Sequence, residues 1–185
     1  MHPAMKNVST VRKQLGIRTI FNLLGPLANP AGAQYQLLGV GRAETRPMIA
    51  SALALLGTKK SFVLCGADGL GEVTLATSTI GTEVTELTER EFSWMPEDFG
   101  IPRRPLDGIS IANPEESVAM VRSVLAGERS PARDIVILNA AAGFLVVGRC
   151  DSPRDAAALA AESIDRGDAV QLLQKLIQLS HEPIV

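Results

Sequence analysis

Two short apolar runs with a helical pattern between them constrain this chain more than any other feature. Gln36-Leu37-Leu38-Gly39-Val40 and Ser61-Phe62-Val63-Leu64-Cys65 show no alternation of apolar and polar residues, so each reads as a strand buried on both faces. Between them, Pro47 to Leu56 has the pattern of a helix ending at Gly57. Parallel strands need such a crossover, and helices must cover both faces of the sheet they form. The expected fold class is therefore α/β, a mainly parallel sheet flanked by helices.

The rest of the chain fits that frame. Residues 3 to 15 read as a helix with Pro3 in its first turn, Val8, Val11 and Leu15 at helical spacing, and Gly16 as the stop. Thr19 to Pro30 follows neither period, and Gly25-Pro26 and Asn29-Pro30 are turn signals, which predicts a shaped, buried loop. Residues 73 to 95 are rich in Val, Thr and Ile and predict strand, with a hairpin near Ile80-Gly81-Thr82-Glu83. Pro96 to Pro105 reads as a loop. Asn113-Pro114-Glu115-Glu116 is a capped helix start, and that helix runs to Leu125. Ala132 to Val147 reads as a buried helix, Asp151-Ser152-Pro153 starts another to Arg166, and Ala169 to Leu179 forms a last amphipathic one. No linker follows residue 30. The expected division is a segment of residues 1–30 beside a domain of residues 31–185.

Composition removes several classes of function. Eighteen basic and twenty acidic side chains leave a net charge of -2, which offers no surface for nucleic acid. The longest apolar stretch, Ile135 to Val147, contains Asn139 and Gly143 and falls short of the roughly 20 residues of a membrane span. No signal peptide is recognisable at the N-terminus. Cys65 and Cys150 have neither metal-type spacing nor a disulfide pattern, so a reducing, cytoplasmic setting is expected.

Three places invite chemistry. His2 and Arg12 are ten residues apart, close to three helical turns, so they lie on one side of a helix about 15 Å apart along its axis. A guanidinium bordering a cleft suits a carboxylate, which it grips by two parallel hydrogen bonds; the alternative is a solvated arginine. The Phe21 to Pro30 loop, stiffened by its prolines, suits either a small-molecule pocket or a packed connector. The third place is Cys65-Gly66-Ala67-Asp68-Gly69-Leu70-Gly71-Glu72, directly after a strand. Ligands gather at the carboxyl ends of parallel strands, and acidic residues there suit a magnesium ion that also touches phosphates. The same residues also suit a plain turn. Cys65 has no basic neighbour in sequence to activate it and reads as a buried thiol.

These segments, in order, resemble one family. His2-Pro3-Ala4-Met5-Lys6-Asn7-Val8 and Val11 to Pro30 are similar to the signature block of anthranilate phosphoribosyltransferases. The likeness continues through Asp68-Gly69-Leu70-x-Glu72-Val73 and Arg133-Asp134-Ile135-Val136-Ile137-Leu138-Asn139-Ala140-Ala141. Pyrimidine-nucleoside phosphorylases share this fold type but fit the Asn22 to Pro30 block poorly. The resemblance implies the catalytic-domain fold of nucleoside phosphorylases and phosphoribosyltransferases, truncated at its N-terminus. It also implies a pentosyl transfer in tryptophan biosynthesis, in which the amino nitrogen of anthranilate attacks the anomeric carbon of phosphoribosyl pyrophosphate and pyrophosphate leaves. By that likeness Arg12 holds the anthranilate carboxylate, His2 and Pro26 line the substrate channel, and Glu72 is a magnesium ligand. The family is also expected to form homodimers.

Two departures accompany the likeness. The family's second metal-binding acid stands where this chain has Gly71, which leaves Asp68 as the possible replacement, and the family's usual histidine is here Cys65. The Gly-Thr-Gly-Gly-Asp and Lys-His-Gly-Asn segments that family members carry upstream do not occur in these 185 residues. The expectation is that the chain alone is inactive. It is then one half of a split enzyme needing a partner chain, a non-catalytic binding or interaction remnant, or a fragment.

Overall fold

The computed structural model describes residue 14, residues 21–29 and residues 31–181. The helix expected over residues 3–15 lies outside them except for Gln14, which is helical and exposed. In chain order the elements are α1 (Phe21–Leu27), β1 (Tyr35–Gly39), a 3-10 turn (Ala43–Thr45), α2 (Arg46–Leu55), β2 (Lys60–Gly66), β3 (Thr79–Thr85) and β4 (Glu89–Trp94). A second 3-10 turn (Pro96–Phe99) precedes α3 (Pro114–Leu125), α4 (Pro131–Val146), α5 (Pro153–Asp165) and α6 (Asp168–Ser180).

The four strands form one sheet in the order β1-β2-β3-β4. β1 and β2 are parallel and joined by α2, as the sequence pattern requires, with Leu38 opposite Val63. The other two ladders are antiparallel. The α/β class holds, and the sheet is mixed: residues 67–78 between β2 and β3 contain no helix to act as a crossover.

β2 is an inner strand of the sheet, and its side chains alternate between two cores. Val63 and Cys65 join Leu38, Val40 and Val84 under Ile49, Ala50 and Leu53 of α2. Phe62 and Leu64 face the larger core built by α4 and α5, with Leu138, Ala141, Leu145, Ala156 and Ala160. α4 is apolar almost all round because it packs against β1 and β2 as well as against α3 and α5. Phe62, Phe92, Trp94 and Phe99 close one end of this core in edge-on and tilted contacts, with ring centroids 4.2–5.5 Å apart.

Helix starts follow the expected chemistry. Asn113 Oδ1 accepts a hydrogen bond from the Glu116 amide at 2.8 Å, and the Glu116 side chain reaches back to the Ala112 amide. Ser130 and Ser152 cap α4 and α5 in the same way. On α6 no residue is buried against the described residues, and Leu172 and Leu176 are exposed.

Two local readings are corrected. Residues 21–27 are helical rather than a buried loop, and Gly25 and Pro26 are exposed. Pro26 sits in the last turn of this short helix, so only one backbone bond is lost, and the Ala28 amide still bonds to the Leu24 carbonyl at 2.8 Å. The hairpin turn falls at residues 86–88, where Thr85 and Thr88 bond across it, and not at residues 80–83. Gly81 lies inside β3 because the ring of Phe92 occupies the place of a side chain there. No helix among the described residues is long and apolar enough to cross a membrane.

Candidate functional site

The turn after β2 sits at the carboxyl end of the strand that parallels β1, where ligands collect in such sheets. Its conformation is fixed from several sides. The Gly66 amide bonds to the Leu70 carbonyl at 2.7 Å, and Gly69 takes a φ of 84°, which glycine adopts without strain. Asp68 folds back on this turn. One of its oxygens accepts from the Leu70 amide at 3.1 Å and the other from the Thr74 hydroxyl at 2.5 Å. The Gly71 carbonyl packs against Gly39, where any Cβ would overlap it.

Residues 73–75 continue from the turn as a buried irregular segment and not as the expected strand. Its polar backbone is satisfied by side chains. Asn139 accepts from the Val73 amide at 2.9 Å and donates to the Val73 carbonyl at 3.0 Å, as a neighbouring strand would. The Thr74 amide bonds to the Thr79 hydroxyl. Asn139 was legible in sequence only as a polar interruption of an apolar helix; its partner is 66 residues away.

Glu72 is exposed and stands at the rim of a cleft of about 340 Å³. Leu70, Ile109, Met120, Val124 and Ile135 line the rest, so the cleft is apolar with a single carboxylate at its edge. Pro26 is exposed on α1 and takes no part in this lining. His2 and Arg12 lie outside the described residues.

Cys65 is buried and hydrogen-bonds the Gly66 carbonyl. Burial raises its pKa, and the carboxylates of Asp68 and Glu44 add to the rise against the opposing pull of Arg46. A thiol so placed stays protonated near neutral pH. Arg46, unremarked in the sequence, is buried beneath the sheet and donates to the Thr82 hydroxyl and, at 2.8 Å, to Glu91.

These residues do not fit a resident magnesium ion. Magnesium takes oxygen ligands, commonly one or two carboxylates with waters and substrate phosphates. Here Gly71 has no side chain, and both Asp68 oxygens are used by the turn. Both carboxylates of the turn are exposed, but Asp68 is bonded to the turn itself, and no group of three or more His, Cys, Asp or Glu among the described residues is placed to hold a metal ion.

Residues 1–170 match the glycosyl transferase family, a/b domain. The chain is 45% identical over 181 residues to the anthranilate phosphoribosyltransferase of Aquifex aeolicus, an alignment covering 98% of this chain and 53% of that protein. The Saccharomyces cerevisiae anthranilate phosphoribosyltransferase in complex with 4-fluoroanthranilate is 29% identical and superimposes with a TM-score of 0.86, over 96% of this chain and 52% of that one. The same enzyme in complex with PRPP and Mg gives a TM-score of 0.85 at 30% identity, over 94% of this chain and 50% of that one. The chain thus spans about half the length of the curated relatives it matches. It belongs to the glycosyl transferase family and resembles the C-terminal part of anthranilate phosphoribosyltransferase.

Proposed function

We propose that these residues form the C-terminal part of an anthranilate phosphoribosyltransferase active centre, which joins anthranilate to the ribose of phosphoribosyl pyrophosphate and releases pyrophosphate. The observation that carries this reading is the 45% identity sustained over 98% of the chain. In this reading Arg12 grips the carboxylate of anthranilate by charge-assisted hydrogen bonds, and His2 and Pro26 line its channel. Glu72, exposed in the turn that follows β2, is assigned in this reading to the phosphate side. Leaving-group departure places negative charge on pyrophosphate, and catalysis consists mainly of positioning and electrostatic stabilisation. The turn supplies little of that stabilisation, so the 185-residue chain alone does not turn over. The competing readings are a non-catalytic binding remnant and one half of a split enzyme.

The decisive assay co-expresses the chain with the unmatched portion of the Aquifex aeolicus enzyme and follows the loss of anthranilate fluorescence on adding phosphoribosyl pyrophosphate. Turnover by the pair and none by the chain alone is the expected result. Turnover by the chain alone overturns the expectation that these 185 residues are inactive by themselves. A stable but inactive pair removes the transferase reading in favour of the remnant.

A further inference from the structure

We infer that the Gly66–Glu72 turn keeps the backbone of a cation-binding turn but has lost the ability to bind a divalent cation by itself, through the absence of one side chain at Gly71. This rests on the reading of the chain as an anthranilate phosphoribosyltransferase relative, and it concerns metal affinity rather than turnover. The scaffold is anchored at four points: the Gly66–Leu70 backbone bond, the Asp68 bonds to Leu70 and Thr74, the Gly71 contact with Gly39, and the Asn139 pairing with Val73. None of these involves Glu72.

Asp68 is a turn-forming residue here and no substitute ligand. Each of its oxygens accepts a hydrogen bond from its own loop, and drawing Oδ2 away would leave the hydroxyl of the buried Thr74 without that acceptor. Position 71, by contrast, has room. A Cβ on Gly71 would find its nearest neighbours, backbone atoms of Gly39 and Val40, at 3.6 Å, an ordinary contact, and Gly71 is not among the positive-φ glycines. A Cβ there fits without displacing the turn, and the aspartate it would carry is the chain neighbour of Glu72.

The test measures Mn²⁺ binding by electron paramagnetic resonance, with Mg²⁺ as competitor and no substrate present. It compares the wild-type chain with Gly71→Asp, Asp68→Asn and the double variant, with near-ultraviolet circular dichroism to follow the fold. We expect no saturable site in the wild type. Gly71→Asp gains one that Mg²⁺ displaces, and the double variant keeps it. Loss of outer-shell partners alone changes metal affinity about 10–100-fold, so the gain from a new ligand is at least tenfold. A saturable wild-type site overturns the inference, as does its loss from the double variant with the fold intact. A natively folded Gly71→Asp chain that gains nothing also overturns it. Because no substrate is used, these outcomes are separate from those of the transferase assay.

Discussion

The carbonyl of Gly71 rests against Gly39 in the space that a side chain at position 39 would fill. This contact pins the turn after β2 to the end of β1, and it is asymmetric. A Cβ at position 39 meets backbone, which moves only by displacing the turn, whereas a Cβ at position 71 finds atoms no nearer than 3.6 Å. Gly39→Ala should therefore cost about 1–3 kcal/mol, as overpacking does. Gly71→Ala should stay within about 1 kcal/mol of the wild type. Urea unfolding of both variants checks this, and equal losses would show that the contact does not discriminate the two positions.

Asn139 replaces a strand for Val73. Removing its amide in Asn139→Ala leaves the buried Val73 N–H and C=O without partners, at a cost of about 1–3 kcal/mol for each such group. Amide exchange at Val73 reports the effect directly. It should accelerate in Asn139→Ala by more than exchange in β2, which follows the fall in global stability. Unchanged exchange at Val73 would mean that another group satisfies it.

The features visible in sequence are those decided by near neighbours. Asn113, Ser130 and Ser152 cap helices through amides three residues on, and the β1-α2-β2 unit follows from apolar runs and length. The misread features depend on contacts between distant residues. Gly81 suggested a turn because its reason for being glycine, Phe92, lies across a strand pairing. The direction of β3 was hidden because a segment of Thr, Val and Ile reads the same in either orientation. At the site, the position of the glycine turn at a strand end was legible. The commitment of Asp68 to Thr74 was not, since a carboxylate that closes its own loop is indistinguishable in sequence from one that faces a ligand.

Gly81 and Phe92 form a second tight pair. A side chain on Gly81 would overlap the Phe92 ring, which itself packs on Phe62 and Trp94. Gly81→Val should destabilise the chain by about 1–3 kcal/mol or more. Combining it with Phe92→Ala should recover part of that loss, since the cavity left by one change receives the other. A double-mutant cycle measures the coupling, and strict additivity would show that the two positions do not share this space.

Glu83 gathers two cations on the sheet surface beside Leu145. Lys60 lies 3.0 Å and Arg90 2.8 Å from its two oxygens, and the Lys60 ammonium also stands over the Phe62 ring. Burial pushes the Glu83 carboxyl up, but the hydrogen bonds and charges of Lys60 and Arg90 prevail and hold it below the ordinary glutamate range. A carboxyl whose pKa is lower in the folded than in the unfolded state stabilises the fold above its unfolded value, near 4.3. That contribution fades as pH falls through the lowered folded value. Glu83→Gln should thus lose about 1–2 kcal/mol at neutral pH, most of it from the better-shielded Lys60 pair, because Arg90 is largely exposed. Denaturation of wild type and variant across acid pH should show the two curves converging below pH 4.3 or so. A difference that persists unchanged in acid would assign the loss to packing of the side chain instead of to its charge.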